Sequence, residues 1–399
     1  MTKRTRAYAL SAALILALTA PGLPALSAGT AAAAAAAPAP GAVAASPYGV
    51  GAELPRPTGP YGVGRDTLRL ADQDRTDPWV PESGPRRLLV SMYYPAAPGT
   101  GRPAPYLTAD EARAFLVNNG VPGSLAEPMS ATRVYSRLDA RALPGRHPLV
   151  VLSPGFSLSR LTLSLLAEEL TSRGYVVALV DHAYESFGTS WPDGSFTSCV
   201  ACEVRGEEGK PAVADVRSAD VSFLLDRLTG ARPAWERARL IDRSRIGMAG
   251  HSIGGDSAEQ TMSDDPRVLA GVNMDGSFHQ KAPGAGVAGR PFLLLGTDSL
   301  HRPGGGDTSW DTTWERLDGW KRWLTVAGSA HVTSFTDVSA VIDQLGLEDP
   351  TGATLPPDRA NAIVREYLAA FFDRHLRHVP RPLLDGESAA YPEVTFHRP

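Results

Sequence analysis

From about residue 65 onward, short apolar runs alternate with stretches of helical periodicity, and this alternation restricts the fold more than any other feature of the chain. Leu149–Leu152, Tyr175–Val180, Val268–Met274 and Pro291–Leu295 are apolar at nearly every position, the pattern of strands buried on both faces. Arg87–Tyr94, Arg245–Ala249 and Lys321–Val326 add three more. Between or after them come helical patterns at Leu158–Ser172, Val213–Leu228, Gly255–Met262, Trp310–Gly319 and Asn361–Leu376. Strand followed by helix, repeated, predicts an α/β domain over residues 61–399 with a mostly parallel central sheet and helices on both faces. Residues 183–211 break the rhythm with a Trp191-Pro192-Asp193-Gly194 turn signal and several charges. They read as an insertion over the rim of the sheet, either covering a site or lying solvated.

One turn in this pattern carries chemistry. In Ala249-Gly250-His251-Ser252-Ile253-Gly254-Gly255, a serine is flanked by glycines two residues away on either side. A chain this rich in glycine produces Gly-x-Ser-x-Gly by accident, so the motif alone decides nothing. Its setting does more, because Arg245–Ala249 reads as a strand and a helical pattern begins near Gly255. A nucleophile elbow needs that strand, sharp turn and helix, and a turn so tight leaves no room for β-carbons at Gly250 and Gly254.

A serine hydroxyl near neutral pH needs a base, and the base needs an orienting carboxylate. On an elbow scaffold the order along the chain is serine, acid, histidine. His331 follows the strand Lys321–Val326 and is the expected base; His279 and His301, both in loops, are its competitors. His375 and His378 end the last helix, where a cation favours the dipole. Asp275 and Asp298 each end a strand, and spacing does not choose between them as the acid. The oxyanion hole is expected from the N–H of Ile253, directly after the nucleophile, and from Phe156 in the loop Ser153-Pro154-Gly155-Phe156.

The N-terminus reads as a secretory signal over residues 1–28: a basic start at Lys3, Arg4 and Arg6, an apolar run Ala7–Ala20, then small residues up to Ala28. Residues 29–60 are rich in Ala and Pro and read as a flexible linker. No later run has the apolar length of a transmembrane helix, so an exported, soluble protein is expected. The two cysteines, Cys199 and Cys202, lack neighbouring ligands for a metal and are expected to form a local disulfide in an oxidising compartment. With 39 basic against 43 acidic residues, the chain has no footprint for nucleic acid.

The motifs together resemble the α/β-hydrolase superfamily, and within it the secreted serine esterases similar to platelet-activating factor acetylhydrolase. The resemblance runs from about Pro57 onward through "RLLVSMYYP" at 87–95, "VLSPGF" at 151–156, "LAEELTSRGYVVALVDH" at 166–182, "GHSIGG", "MDGSF" and "SAHVTSFTD". It implies the α/β-hydrolase fold, places the acid after the strand that follows the nucleophile helix, at Asp275, and requires no cofactor or metal. Mammalian members carry a histidine before the oxyanion-loop glycine, where this chain has Pro154.

The expected function is therefore a secreted serine hydrolase acting on short-chain acyl esters or lipid acyl esters, with at most transient contact with lipid aggregates. A triacylglycerol lipase or polyester hydrolase is the alternative on the same fold, and a noncatalytic binding protein the alternative of another class. Gly284-Ala285-Gly286-Val287-Ala288-Gly289 matches a dinucleotide fingerprint, but it precedes a strand instead of opening a helix and reads as a loop. Trp310, Trp314 and Leu317 share a helical face that reads as core, and Asp181-His182 reads as structural hydrogen bonding.

Overall fold

The computed structural model describes residues 51–205, 210–279 and 286–398. The expected signal segment and most of the expected linker lie outside them. Gly62–Thr76 (β1) and Pro85–Ala96 (β2) form a long antiparallel hairpin, and the short strands Arg102–Pro103 (β3) and Arg137–Leu138 (β4) extend its outer edge. His147–Ser153 (β5) and Val176–His182 (β6) follow, then a small hairpin of Thr189–Ser190 (β7) and Phe196–Thr197 (β8). Ile241–His251 (β9), Val268–Met274 (β10), Phe292–Thr297 (β11), Lys321–Val326 (β12) and Val394–His397 (β13) complete the set.

Among the described residues the main sheet has eleven strands in the order β13-β12-β11-β10-β9-β5-β6-β2-β1-β4-β3. The run from β12 to β6 is parallel throughout, with antiparallel β13 and β2 at its flanks. This is the α/β-hydrolase fold.

Alternation along the strands divides the core. Val150 and Leu152 of β5 face the helices Ser164–Ser172 and Pro357–Leu376, and Leu149 and Val151 face Lys210–Thr229 and Ile253–Asp264. Trp310 and Trp323 are fully buried in the second of these layers and Trp314 lies against it, so the tryptophan stripe is core. Among the described residues, no helix is long and apolar enough to cross a membrane.

The linker read over 29–60 ends earlier than expected. Ala52 and Leu54 are buried with Leu116 and Met129, Leu54 N–H donates to the Arg133 carbonyl at 3.0 Å, and Thr58 N–H donates to Glu169 at 3.0 Å. With Gly59 N–H donating to Ser172 Oγ and Glu53 N–H to Gln344, buried side chains and paired backbone groups fasten a segment whose composition looks flexible.

The excursion read over 183–211 is described as far as residue 205, and this part is built against the sheet end. Trp191 is buried, Cys199 and Cys202 are bonded to each other, and Ala201, on the short helix Val200–Arg205 between them, is fully buried against a cluster that includes Ile253.

Candidate active site

Four loops at the carboxyl ends of parallel strands meet at one point: those after β5, β9, β10 and β12. Ser252 follows β9 directly and has φ 55° and ψ −127°, so the chain reverses into the helix Ile253–Asp264 within a single residue. A β-carbon on Gly250 would lie 2.1 Å from the Gly254 carbonyl carbon, and one on Gly254 would lie 2.2 Å from the Ser153 carbonyl oxygen. The glycine spacing thus lets the elbow close and brings the helix N-terminus against the loop after β5.

Ser252 Oγ is 3.0 Å from Nε2 of His331, and His331 Nδ1 is 2.6 Å from Asp275 Oδ2. The imidazole is partly exposed while the carboxylate behind it is fully buried. Asp275 Oδ1 also accepts from the Thr297 N–H and from His301 Nδ1, both at 2.6 Å. Burial pushes the Asp275 carboxyl up, but the hydrogen bonds from His301 and His331 outweigh it and hold the group well below the usual carboxylate range. An acid kept ionised orients the base and favours its imidazolium form without taking its proton. Asp298 points elsewhere and accepts from Thr325 Oγ1 at 3.0 Å.

The amides of Phe156 and Ile253 face no other acceptor: neither donates to another protein group among the described residues. Between them the Ser153–Gly155 loop is held from below by Arg217, whose Nη1 donates to the Pro154 carbonyl at 2.6 Å and to Ser153 Oγ at 3.1 Å. Phe156, Tyr184, Val216, Trp79 and Ala201 form an apolar cluster around the Ile253 side chain.

A family model described as platelet-activating factor acetylhydrolase, isoform II, matches residues 51–192. Over 376 residues the chain is 30% identical to a probable 1-alkyl-2-acetylglycerophosphocholine esterase of Arthroderma benhamiae, spanning 86% of this chain and 93% of that protein. The chain belongs to the platelet-activating factor acetylhydrolase family. The Cavia porcellus platelet-activating factor acetylhydrolase is 23% identical over 259 residues, which cover 56% of this chain and 55% of that one. A solved ferulic acid esterase from Streptomyces cinnamoneus superposes with a TM-score of 0.77 at 42% identity, over 87% of this chain and 100% of that structure. Like these acetylhydrolase relatives, the protein is a carboxylic ester hydrolase.

The other sequence candidates sit apart from Ser252. His279 pairs with Asp256, on the first turn of the helix Ile253–Asp264, at 3.2 Å. His301 contacts Asp275 instead of Ser252. Asp181 binds the Arg160 backbone N–H at 2.6 Å, and His182 bridges Asp220 at 2.8 Å and Ser153 at 3.1 Å.

One neighbour within the acetylhydrolase motif itself escaped the sequence reading. His251 is buried, its Nε2 lies 2.7 Å from the His331 carbonyl, and the two rings are 4.8 Å apart. Burial, with His331 alongside, pushes the His251 imidazole down to about 3, so it stays neutral and donates to the backbone of the base loop. Its signal was its place next to Ser252, which a motif scan treats as a free position.

Proposed function

We propose that the chain is an exported serine esterase that works through an acyl-enzyme. The observation that carries this reading is the chain of contacts from Ser252 Oγ to His331 Nε2 at 3.0 Å and from His331 Nδ1 to Asp275 at 2.6 Å. His331 takes the Ser252 proton as Oγ attacks the ester carbonyl and returns it to the departing alkoxide. Asp275 orients the imidazole and stabilises its charged form. The Phe156 and Ile253 N–H groups receive the oxyanion of the tetrahedral intermediate, and water, activated by the same base, releases the acid. Export is supported by the basic and apolar N-terminal segment and by the Cys199–Cys202 bond.

For the substrate, the Arthroderma relative supports short acyl esters of ether glycerophospholipids. The ferulic acid esterase likeness, at 42% identity over the whole of that chain, supports a second reading, an aromatic acyl group carried by the apolar cluster of Phe156, Tyr184 and Trp79.

Ser252→Ala is expected to lower hydrolysis of p-nitrophenyl acetate by at least about a thousandfold and to abolish labelling by a fluorophosphonate probe. A variant that retains activity overturns the assignment, and a wild-type protein that does not label points to a noncatalytic binder. Asp275→Asn is expected to lose several orders of magnitude and Asp298→Asn to stay within severalfold of wild type; the reverse result moves the acid. Comparing a 2-acetyl ether phospholipid, methyl ferulate, a long-chain triacylglycerol and an insoluble polyester separates the substrate classes by kcat/KM.

A further inference from the structure

His301 lies on the side of Asp275 away from the base. Its side chain is fully buried and stacks on Trp310, with ring centroids 4.2 Å apart and planes 19° from parallel. Nδ1 is 2.6 Å from Asp275 Oδ1, and Nε2 is 3.0 Å from Asp307 Oδ2. A neutral imidazole has one donor; with a carboxylate against each nitrogen, both nitrogens must donate, so this ring is an imidazolium. Burial alone pushes the His301 pKa down, but Asp275 and Asp307 together raise it.

Asp307 is fixed in turn. Its Oδ1 accepts the Ser309 N–H at 2.8 Å, and hydrogen bonds from His301, Ser277 and Ser309 overcome burial to hold its carboxyl below the usual range. The charged groups facing the ring are Asp275, from the loop after β10, and Asp307, from the loop before the helix Ser309–Arg316. Trp310 supplies a wall, and the Trp323 indole N–H donates to the His301 carbonyl at 2.6 Å.

We propose that His301, held by Asp307, is a positioning residue of the ester hydrolysis: as a buried cation it clamps Asp275, offsets its charge, and sets the pH below which His331 stops acting as a base. The inference rests on the Ser252, His331 and Asp275 reading above. Two features make the clamp consequential. Asp275 has φ 58°, in the left-handed region, so its backbone sits in a conformation that the contacts around it must hold. The Thr297 N–H and His301 occupy Oδ1 and leave Oδ2 free for His331.

The electrostatic effect has a definite sign. Asp275, His301 and Asp307 together carry one net negative charge. Without the cation two negative charges stand near the base, its imidazolium form is favoured, and activity fails at a higher pH.

The test compares pH profiles of kcat/KM for p-nitrophenyl acetate in the wild type and in His301→Gln, which keeps a donor for Asp275 but no charge. The acidic limb is expected to move up by about half a unit, a loss of about threefold on the acidic side, while KM stays within about twofold. A limb that does not move overturns the role, even if kcat falls, because a merely structural histidine would lower activity without shifting the profile. Should His301→Gln fail to fold, 15N NMR of the wild-type imidazoles decides: both His301 nitrogens are expected to remain protonated from pH 5 to 8, and a neutral tautomer at pH 7 overturns the proposal. Fluorophosphonate labelling of the wild type separates the two levels. A wild type that does not label sinks the triad reading and this inference with it, whereas a labelled wild type with an unmoved limb sinks only the role of His301.

Discussion

Ser252 occupies a backbone conformation that its β-carbon disfavours, because its φ of 55° and ψ of −127° lie outside the regions open to most side chains. Such a position stores about 1–3 kcal/mol of strain, offset by the packing of Gly250, Gly254 and the loop after β5 around it. Ser252→Gly is therefore expected to be inactive yet more stable than Ser252→Ala by about 1 kcal/mol in urea unfolding, since glycine accepts this conformation freely. Equal midpoints for the two variants would mean that the elbow is not strained. At this scale the serine and His331 were legible because each is tied to a local pattern, a glycine turn in one case and the end of a strand in the other. The carboxylate partner of His331 was not legible from spacing, since Asp275 and Asp298 both end strands; the resemblance favoured Asp275, and it is Asp275 that meets His331 at 2.6 Å while Asp298 turns toward Thr325. His301 was visible as a histidine in a loop, but sequence does not record which face of the acid a loop reaches.

Elements buried on both faces announce themselves, and elements with one wet face do not. The parallel strands β5, β6, β10 and β11 were all legible to within two residues, because their apolar runs have no other soluble use. The strand β1 runs for 15 residues but alternates exposed polar side chains such as Arg69 with buried ones such as Leu70, and its composition resembles a loop. Val394–His397, an edge strand of four residues, is too short to carry a period. The break in rhythm over 183–211 was legible, but what that segment covers depends on Ala201 reaching the cluster around Ile253. The disulfide beside it closes a separation of only 3 residues. A loop that short contributes about 2 kcal/mol or less to global stability. Its effect should instead be local: Cys199→Ser with Cys202→Ser is expected to lower the thermal midpoint by only a few degrees while raising KM severalfold for p-nitrophenyl esters. An unchanged KM would place the excursion outside the substrate path.

Across the whole molecule, one buried ion network joins the antiparallel hairpin to the end of the parallel sheet that carries Ser252. Arg86 of β2, with no exposed side-chain surface, contacts Asp77 at 3.0 Å, Glu185 of the rim excursion at 2.7 Å and Asp220 of the helix Lys210–Thr229 at 2.8 Å. Glu185 also binds Arg217 at 2.7 Å, and Arg217 holds the Pro154 carbonyl in the loop after β5. Burial pushes Asp220 and Glu185 up, but Arg86 for the first and Arg217 with Arg86 for the second outweigh it and leave both below the ordinary carboxylate range. Groups depressed on folding stabilise the native state fully above their unfolded pKa of about 4, and that contribution is lost as the pH falls through the folded value. Arg86→Met removes the central cation and leaves carboxylates buried without it, so it is expected to cost about 3–5 kcal/mol at pH 7 in urea unfolding. Acidification toward pH 4 should narrow the gap between variant and wild type, because the carboxylates left without Arg86 protonate and relieve the variant, whereas the wild type keeps its ion pairing until the pH falls below about 4. A gap that stays constant from pH 7 to pH 4 would mean that Arg86 contributes by filling space, and the connection from the hairpin to the loop after β5 would then be one of packing instead of charge.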